Sequence, residues 1–140
     1  MTTTQSLQKS LADTYVLYNK IHSFHWNVTG PRFQELHIFF ETLYTQMWMQ
    51  IDELAELIRI QGEFAPKNTK ELSKNSSLTA ETSIPTGDKM LSILIADFEI
   101  LLKSLHETES IGSDIQSIAD SLPTIIAGHE KNVWMLKSMV

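Results

Sequence analysis

Four side chains that bind metals well, His37, Glu41, Asp52 and Glu56, recur on one long stretch of this sequence, and a fifth, His25, lies just upstream. From His25 to Glu56 the chain reads HWNVTGPRFQELHIFFETLYTQMWMQIDELAE. At about 100° and 1.5 Å per residue, His37, Glu41, Asp52 and Glu56 fall at roughly 0°, 40°, 60° and 100° around one helix, so they share a face. His37 and Asp52, like Glu41 and Glu56, are nevertheless about 22 Å apart along the axis, too far to hold the same ion. Either the two pairs serve separate sites, or a second copy of the helix runs antiparallel and sets His37/Glu41 of one chain against Asp52/Glu56 of the other. The four positions are symmetric about a point between Gln46 and Met47, where a two-fold axis would align both pairs at once, as isologous dimers require. Ile38, Trp48 and Met49 are interleaved with the carboxylates, which suits an interface better than a face turned to water. The competing reading is a solvated helix whose acids only aid solubility.

His25 adds weight to the metal reading. Thr29-Gly30-Pro31 is a helix stop followed by a helix start, with Pro31 at the first helical position. If helices flank that break as an antiparallel hairpin, His25 and His37 are nearly equidistant from the turn and lie side by side. Two imidazoles, two or three carboxylates and no thiols make a hard-to-borderline ligand set, suited to iron and also to zinc or manganese.

The elements that must position these groups follow from hydrophobic spacing. The first helix is expected from about Thr4 to Asn27, with Leu7, Leu11, Tyr15, Leu17, Ile21 and Phe24 at helical intervals. The second is expected from Pro31 to about Gln61, with a core stripe of Phe33, Leu36, Phe40, Leu43, Met47, Ile51, Leu54 and Ile58, and with Gly62 and Pro66 beyond its end. Residues 63–87 form a long polar connection in which a short helix near Thr69–Ser76 is expected. The third long helix covers about Asp88 to Ser110. The fourth covers about Asp114 to Lys137, with Ser113 as a candidate cap and a kink or restart at Pro123. Two hairpins of long helices joined by one extended crossover describe an all-α, ferritin-like four-helix bundle with a short extra helix in the crossover. That class usually places its metal inside one bundle on Glu-x-x-His motifs, and this chain has none. The reversed spacing at His106-Glu107-Thr108-Glu109 occurs once and is weak. The site is therefore expected at a subunit interface.

With 140 residues the chain reads as a single domain, 1–140, large enough to bury a core without staples. It has no cysteine, which removes disulfides and thiolate metal sites. No apolar run is long enough for a bilayer, and the opening MTTTQSLQKS lacks the apolar stretch of a signal peptide, so the expectation is a cytoplasmic protein with no membrane partner. A formal net charge of −6 argues against an overall electrostatic grip on nucleic acid.

The run His25-Trp26-Asn27-Val28, Gly30-Pro31, Phe33, Leu36-His37, Phe40, Tyr44, Asp52, Ala55-Glu56 and Ile58-Arg59 resembles the Dps mini-ferritins, the DNA-binding proteins from starved cells. His129-Glu130-Lys131 and Trp134-Met135-Leu136 extend the resemblance over nearly the whole chain. It implies a hollow homo-dodecameric shell with ferroxidase sites at two-fold interfaces, His25 and His37 coming from one subunit and Asp52 and Glu56 from its mate. It implies Fe(II) as substrate, hydrogen peroxide preferred over dioxygen as oxidant, and a ferric mineral stored in the cavity. The family usually has aspartate where this chain has Glu41, one methylene longer, which puts that ligand in doubt. Trp26 stands where the family keeps a tryptophan near the iron, a redox neighbour or simply core packing. Acidic residues at the start of the fourth helix line pores in the family. Asp120 matches that position best, and Asp114 is the weaker candidate because its spacing differs. Family members that bind DNA carry lysine-rich tails. The first 30 residues here hold only Lys9 and Lys20, and Lys67, Lys70 and Lys74 form the one basic cluster. The expectation is weak, salt-sensitive DNA contact or none. His22, three residues before His25, is a weak metal signal, His106 and His129 are expected as surface or packing residues, and the methionines as interface and core filler.

Overall fold

The computed structural model describes residues Met1–Val140 as five helices with no strand. Helix α1 (Thr3–Asn27) opens on a capping box, in which the Thr2 side chain accepts the Gln5 N–H and the Gln5 side chain accepts the Thr2 N–H. The chain reverses through Gly30, whose φ of +102° is a left-handed conformation that favours glycine. Helix α2 (Phe33–Ile60) starts two residues later than expected. Pro31 sits in the turn and Arg32 is the N-cap, because Phe33 N–H bonds back to the Gly30 carbonyl. Of the expected α2 stripe, Leu36, Phe40, Leu43, Met47, Leu54 and Ile58 are buried, whereas Phe33 is 42% exposed and Ile51 only half-buried.

A short helix, α3 (Thr69–Ser73), interrupts the crossover and is briefer than the sequence pattern suggests. Helices α4 (Gly87–Ile111) and α5 (Gln116–Ser138) complete the bundle. The fourth long helix does not begin at Asp114, and Ser113 does not cap it. Ile118 packs under Gly112, so tightly that a Cβ there would lie 2.7 Å from Ile118 Cδ1, and residues 112–115 form a turn instead. Nor does Pro123 restart the helix. It withholds one N–H from the carbonyl four residues earlier, but it is exposed, and buried Leu122, Ile125 and Ile126 hold the following turn to the core.

One core of 25 buried apolar residues runs through all four long helices, with Phe40 and Phe98 fully enclosed. Buried polar groups fix how the elements sit. Asp13 accepts hydrogen bonds from the Ser76 hydroxyl and the Ser77 N–H, 2.8 and 2.6 Å away, and from the Ser104 hydroxyl. It thereby ties the crossover to α1 and α4. Between those helices Lys20 Nζ donates to Asp97 at 2.6 Å, both residues being 8% exposed. Burial pushes the Asp97 carboxyl above its ordinary range even against the pull of Lys20. Arg32 joins three helix ends, donating to the Met139 carbonyl and lying 3.0 Å from Glu35 and 3.5 Å from Asp88.

Two measurements check this core. Lys20→Met leaves the Asp97 carboxylate buried without its partner and should cost about 3–5 kcal/mol in urea unfolding. The double variant Lys20→Met/Asp97→Leu should recover most of that loss, and a double variant as unstable as the single would contradict the assignment. His129 is fully buried, its Nδ1 facing the Asn132 amide at 3.2 Å, and burial pushes its imidazole down to about 4. The unfolded chain takes up that proton near pH 6.5 and the folded one near 4, so the contribution is complete above 6.5 and is lost as pH falls to about 4. His129→Leu should therefore remove about 3 kcal/mol of acid sensitivity across that window, read as the change in urea midpoint with pH.

Candidate metal centre

The hairpin sets α1 and α2 side by side, and His25 and His37, each six residues from Pro31, meet across it. Their rings stack with centroids 3.8 Å apart and planes 14° from parallel. Each Nδ1 points at the other residue's backbone carbonyl, His25 to His37 O at 2.6 Å and His37 to His25 O at 2.7 Å. A carbonyl can only accept, so both Nδ1 atoms carry protons and both Nε2 atoms keep their lone pairs. His25 O is one of the last carbonyls of α1, a group the helix itself leaves without a partner. No intrachain hydrogen bond engages either Nε2. This is how metal-binding histidines are usually fixed: backbone carbonyls set the tautomer and the ring orientation, and Nε2 is left for the ion.

Asp52 and Glu56 lie exposed on the same helix, further along. A hydrogen bond from Asp52, then its charge, raises the Glu56 carboxyl above its ordinary value. Glu41 is exposed one turn beyond His37, and burial first and then the charge of Glu41 push the Tyr44 phenol up. No three His, Asp or Glu side chains of one chain come close enough to hold a metal ion. The chain thus brings His25 and His37 together and Asp52 and Glu56 together, but does not bring one pair to the other.

The remaining candidates are dispersed. Asp120 is exposed in the first turns of α5, accepting from the Gln116 amide at 2.8 Å. Asp114 lies in the preceding turn, outside the helix. Trp26 is 64% exposed and packs on His22, ring centroids 4.1 Å apart. His22 stacks in turn on Tyr44 at 4.2 Å, and burial first and then His25 lower its pKa. Hydrophobic spacing alone did not reveal this aromatic cluster. The signal was present all the same, because Tyr18 and Tyr44 are equidistant from Pro31, just as His25 and His37 are.

A family model for the ferritin-like domain matches residues 4–140. The chain is 37% identical to "DNA protection during starvation protein 2" of Bacillus anthracis, covering 96% of this chain and 93% of that one. It is 36% identical to "DNA protection during starvation protein" of Brevibacillus brevis, over 96% and 91% of the two chains. Among solved structures, a Dps protein from Bacillus brevis superimposes with a TM-score of 0.92 at 35% identity, covering 98% of this chain and 93% of that one. The Dps protein of Vibrio cholerae, a member of a broad superfamily of ferritin-like diiron-carboxylate proteins, gives 0.92 at 28% identity, over 98% and 87%. An all-helical bundle with a helix in its crossover, carrying paired imidazoles and paired carboxylates on one hairpin, belongs to the ferritin-like family, in its Dps branch.

Proposed function

We propose that the protein is a cytoplasmic ferroxidase that binds Fe(II) between two chains, oxidises it with hydrogen peroxide or dioxygen, and stores the ferric product inside a dodecameric shell. The observation that carries this reading is the locked histidine pair with both Nε2 atoms free. His25 and His37 of one chain bind Fe(II), and Asp52 and Glu56 of its mate complete the set. Glu41 is a candidate ligand for a second ion. Neutral imidazoles leave the site's charge to the carboxylates, and anionic ligands favour the ferric product over the ferrous substrate. The same oxygen and nitrogen donors would accept zinc or manganese in place of iron.

The two-fold register gains support from residues that are not ligands. A dyad between Gln46 and Met47 that sets His37 opposite Glu56 also sets Phe33 opposite Ile60, Ile38 opposite Ala55 and Tyr44 opposite Met49. Phe33, Ile60, Ile38 and Met49 are 42, 64, 55 and 69% exposed in the single chain, so one register covers apolar surface at every such step. Beside Asp52 an open apolar groove of about 610 Å³, lined by Trp48, Met49, Ala55 and Pro66, offers room for the opposing Ile38. Asp120 and Asp114 are proposed as pore acids where shell subunits meet.

A shared site makes a specific prediction. His37→Ala should slow Fe(II) oxidation by peroxide at least tenfold, with particle size unchanged, an effect larger than loss of a supporting hydrogen bond. Glu56→Ala should do the same. When the two variants are unfolded together and co-assembled, each mixed dimer regains one intact site, and activity should return to about a quarter of wild type. Mixtures as inactive as their parents would place the site within one chain.

The relatives' names speak of DNA protection and so favour a second reading, a shell that protects DNA with its iron chemistry secondary. The basic cluster is partly neutralised, Lys67 lying 3.7 Å from Glu71, and each chain carries a net charge of −6. At physiological salt the shell should leave plasmid DNA unretarded in a gel, and clear retardation there would move DNA binding ahead of iron storage.

A further inference from the structure

Between the histidine pair and the proposed dyad lies a continuous row of oxidisable rings. Tyr44 stands edge-on to His25, centroids 5.2 Å apart. Tyr18 is next, 6.1 Å from Tyr44, and Trp48 is 6.1 Å beyond Tyr18. Trp48 is 63% exposed and lies within two residues of the dyad point, where it faces its own copy. Each Trp48 lies about 2 Å along the axis from the dyad and its copy therefore about 4.5 Å away, so with helices packed 8–10 Å apart the proposed register brings the two indoles within reach of each other. The row of one chain therefore continues into the row of the next and ends on the second histidine pair.

The choice of residues argues for more than packing. The row takes two of the chain's three tyrosines, and with Trp26 off His22 the cluster takes two of its three tryptophans. Phe24 and Phe40, which fill the neighbouring core against each other, lie off it. Tyr18 and Tyr44 are only half-buried, so phenylalanine would serve the packing equally well.

We propose that Tyr44, Tyr18 and Trp48 form an electron relay joining the two half-sites of a dimer, so that one peroxide draws one electron from iron at each. The inference rests on the ferroxidase reading above. Fe(II) can give one electron, and cleaving the O–O bond of hydrogen peroxide to two waters takes two. At the first site the local Fe(II) supplies one electron and Tyr44 the other, its phenolic proton passing to the water that reaches its half-buried ring. The hole moves through Tyr18, which exchanges its proton with water, to Trp48 and then to the opposing Trp48. It is filled by the Fe(II) of the second site. Each tyrosine regains its electron and proton as the hole moves on. The sum is two Fe(II), one hydrogen peroxide and two protons giving two Fe(III) and two waters, with no hydroxyl radical released.

The test uses the assembled protein loaded with one Fe(II) per chain and mixed with limiting peroxide. Wild type should consume two Fe(II) per peroxide, give no hydroxyl-radical spin adduct, and show a transient tyrosyl or tryptophanyl signal in freeze-quenched EPR. Trp48→Phe and Tyr18→Phe, which keep a ring in place, should lower the ratio toward one, release spin adduct, and lose or relocate the transient signal. Particle size, checked in both variants, separates a lost relay from a lost dimer. If both variants keep a ratio of two with no adduct, the relay is wrong and the site stands. If wild type does not oxidise Fe(II) with peroxide, the site fails and the relay falls with it.

Discussion

At Gly30 the backbone takes a φ of +102°, and this left-handed residue lets α1 fold straight back along α2. The register of that hairpin decides where the chemical groups go. His25 and His37 are locked together only because each ring meets the other strand's carbonyl at the same level. The same register brings Tyr18 to Tyr44 and His22 under Tyr44. A slip of one residue would turn one imidazole away by about 100° and leave the terminal carbonyl of α1 without its partner. The turn, the tautomer and the aromatic row are thus consequences of one packing decision.

The buried polar contacts serve that register from behind. Lys20 and Asp13 are on α1, and they reach Asp97, Ser104 and the crossover at Ser76 and Ser77. An ion pair buried between two helices costs more to break than it contributes when made, so it selects one alignment over slipped alternatives rather than adding much stability. With α1 held against α4 and the crossover, the opposite face of α2 is left open. That face carries Trp48, Met49, Asp52 and Glu56, all exposed, with Tyr18 of α1 beside the Trp48 ring.

Much of this was legible from sequence because the relevant spacings are short. A Gly-Pro break and positions symmetric about it give a hairpin and its histidine pair. The starts of α2 and α5 were not legible. They depend on where a turn closes and on Ile118 packing beneath Gly112, which is tertiary contact rather than capping chemistry. Pro123 misled for a related reason, since burial of its neighbours outweighs one missing hydrogen bond. The Lys20–Asp97 pair joins residues 77 apart in the chain, and no periodicity connects them. His129 reads as an ordinary polar residue near a helix end, and only the packing of Phe98 and α2 around it makes it a neutral, buried imidazole.

The proposed split of the ligands between two chains would have a chemical consequence. A lone subunit has no three ligand side chains close enough together to hold an ion. Such a chain offers Fe(II) only weak, open coordination, and peroxide meeting iron there would take a single electron and release a radical. If the site is completed by association, as proposed, oxidation becomes conditional on assembly, and the assembled shell would provide the cavity for the ferric product. The exposed indole at the dyad makes the same point from the other direction. In the single chain Trp48 is exposed to solvent, whereas in the proposed dimer it would lead to a second source of electrons. On the proposed reading, such an arrangement would match a two-electron oxidant to one-electron donors only in the assembled state, where the product would have somewhere to go.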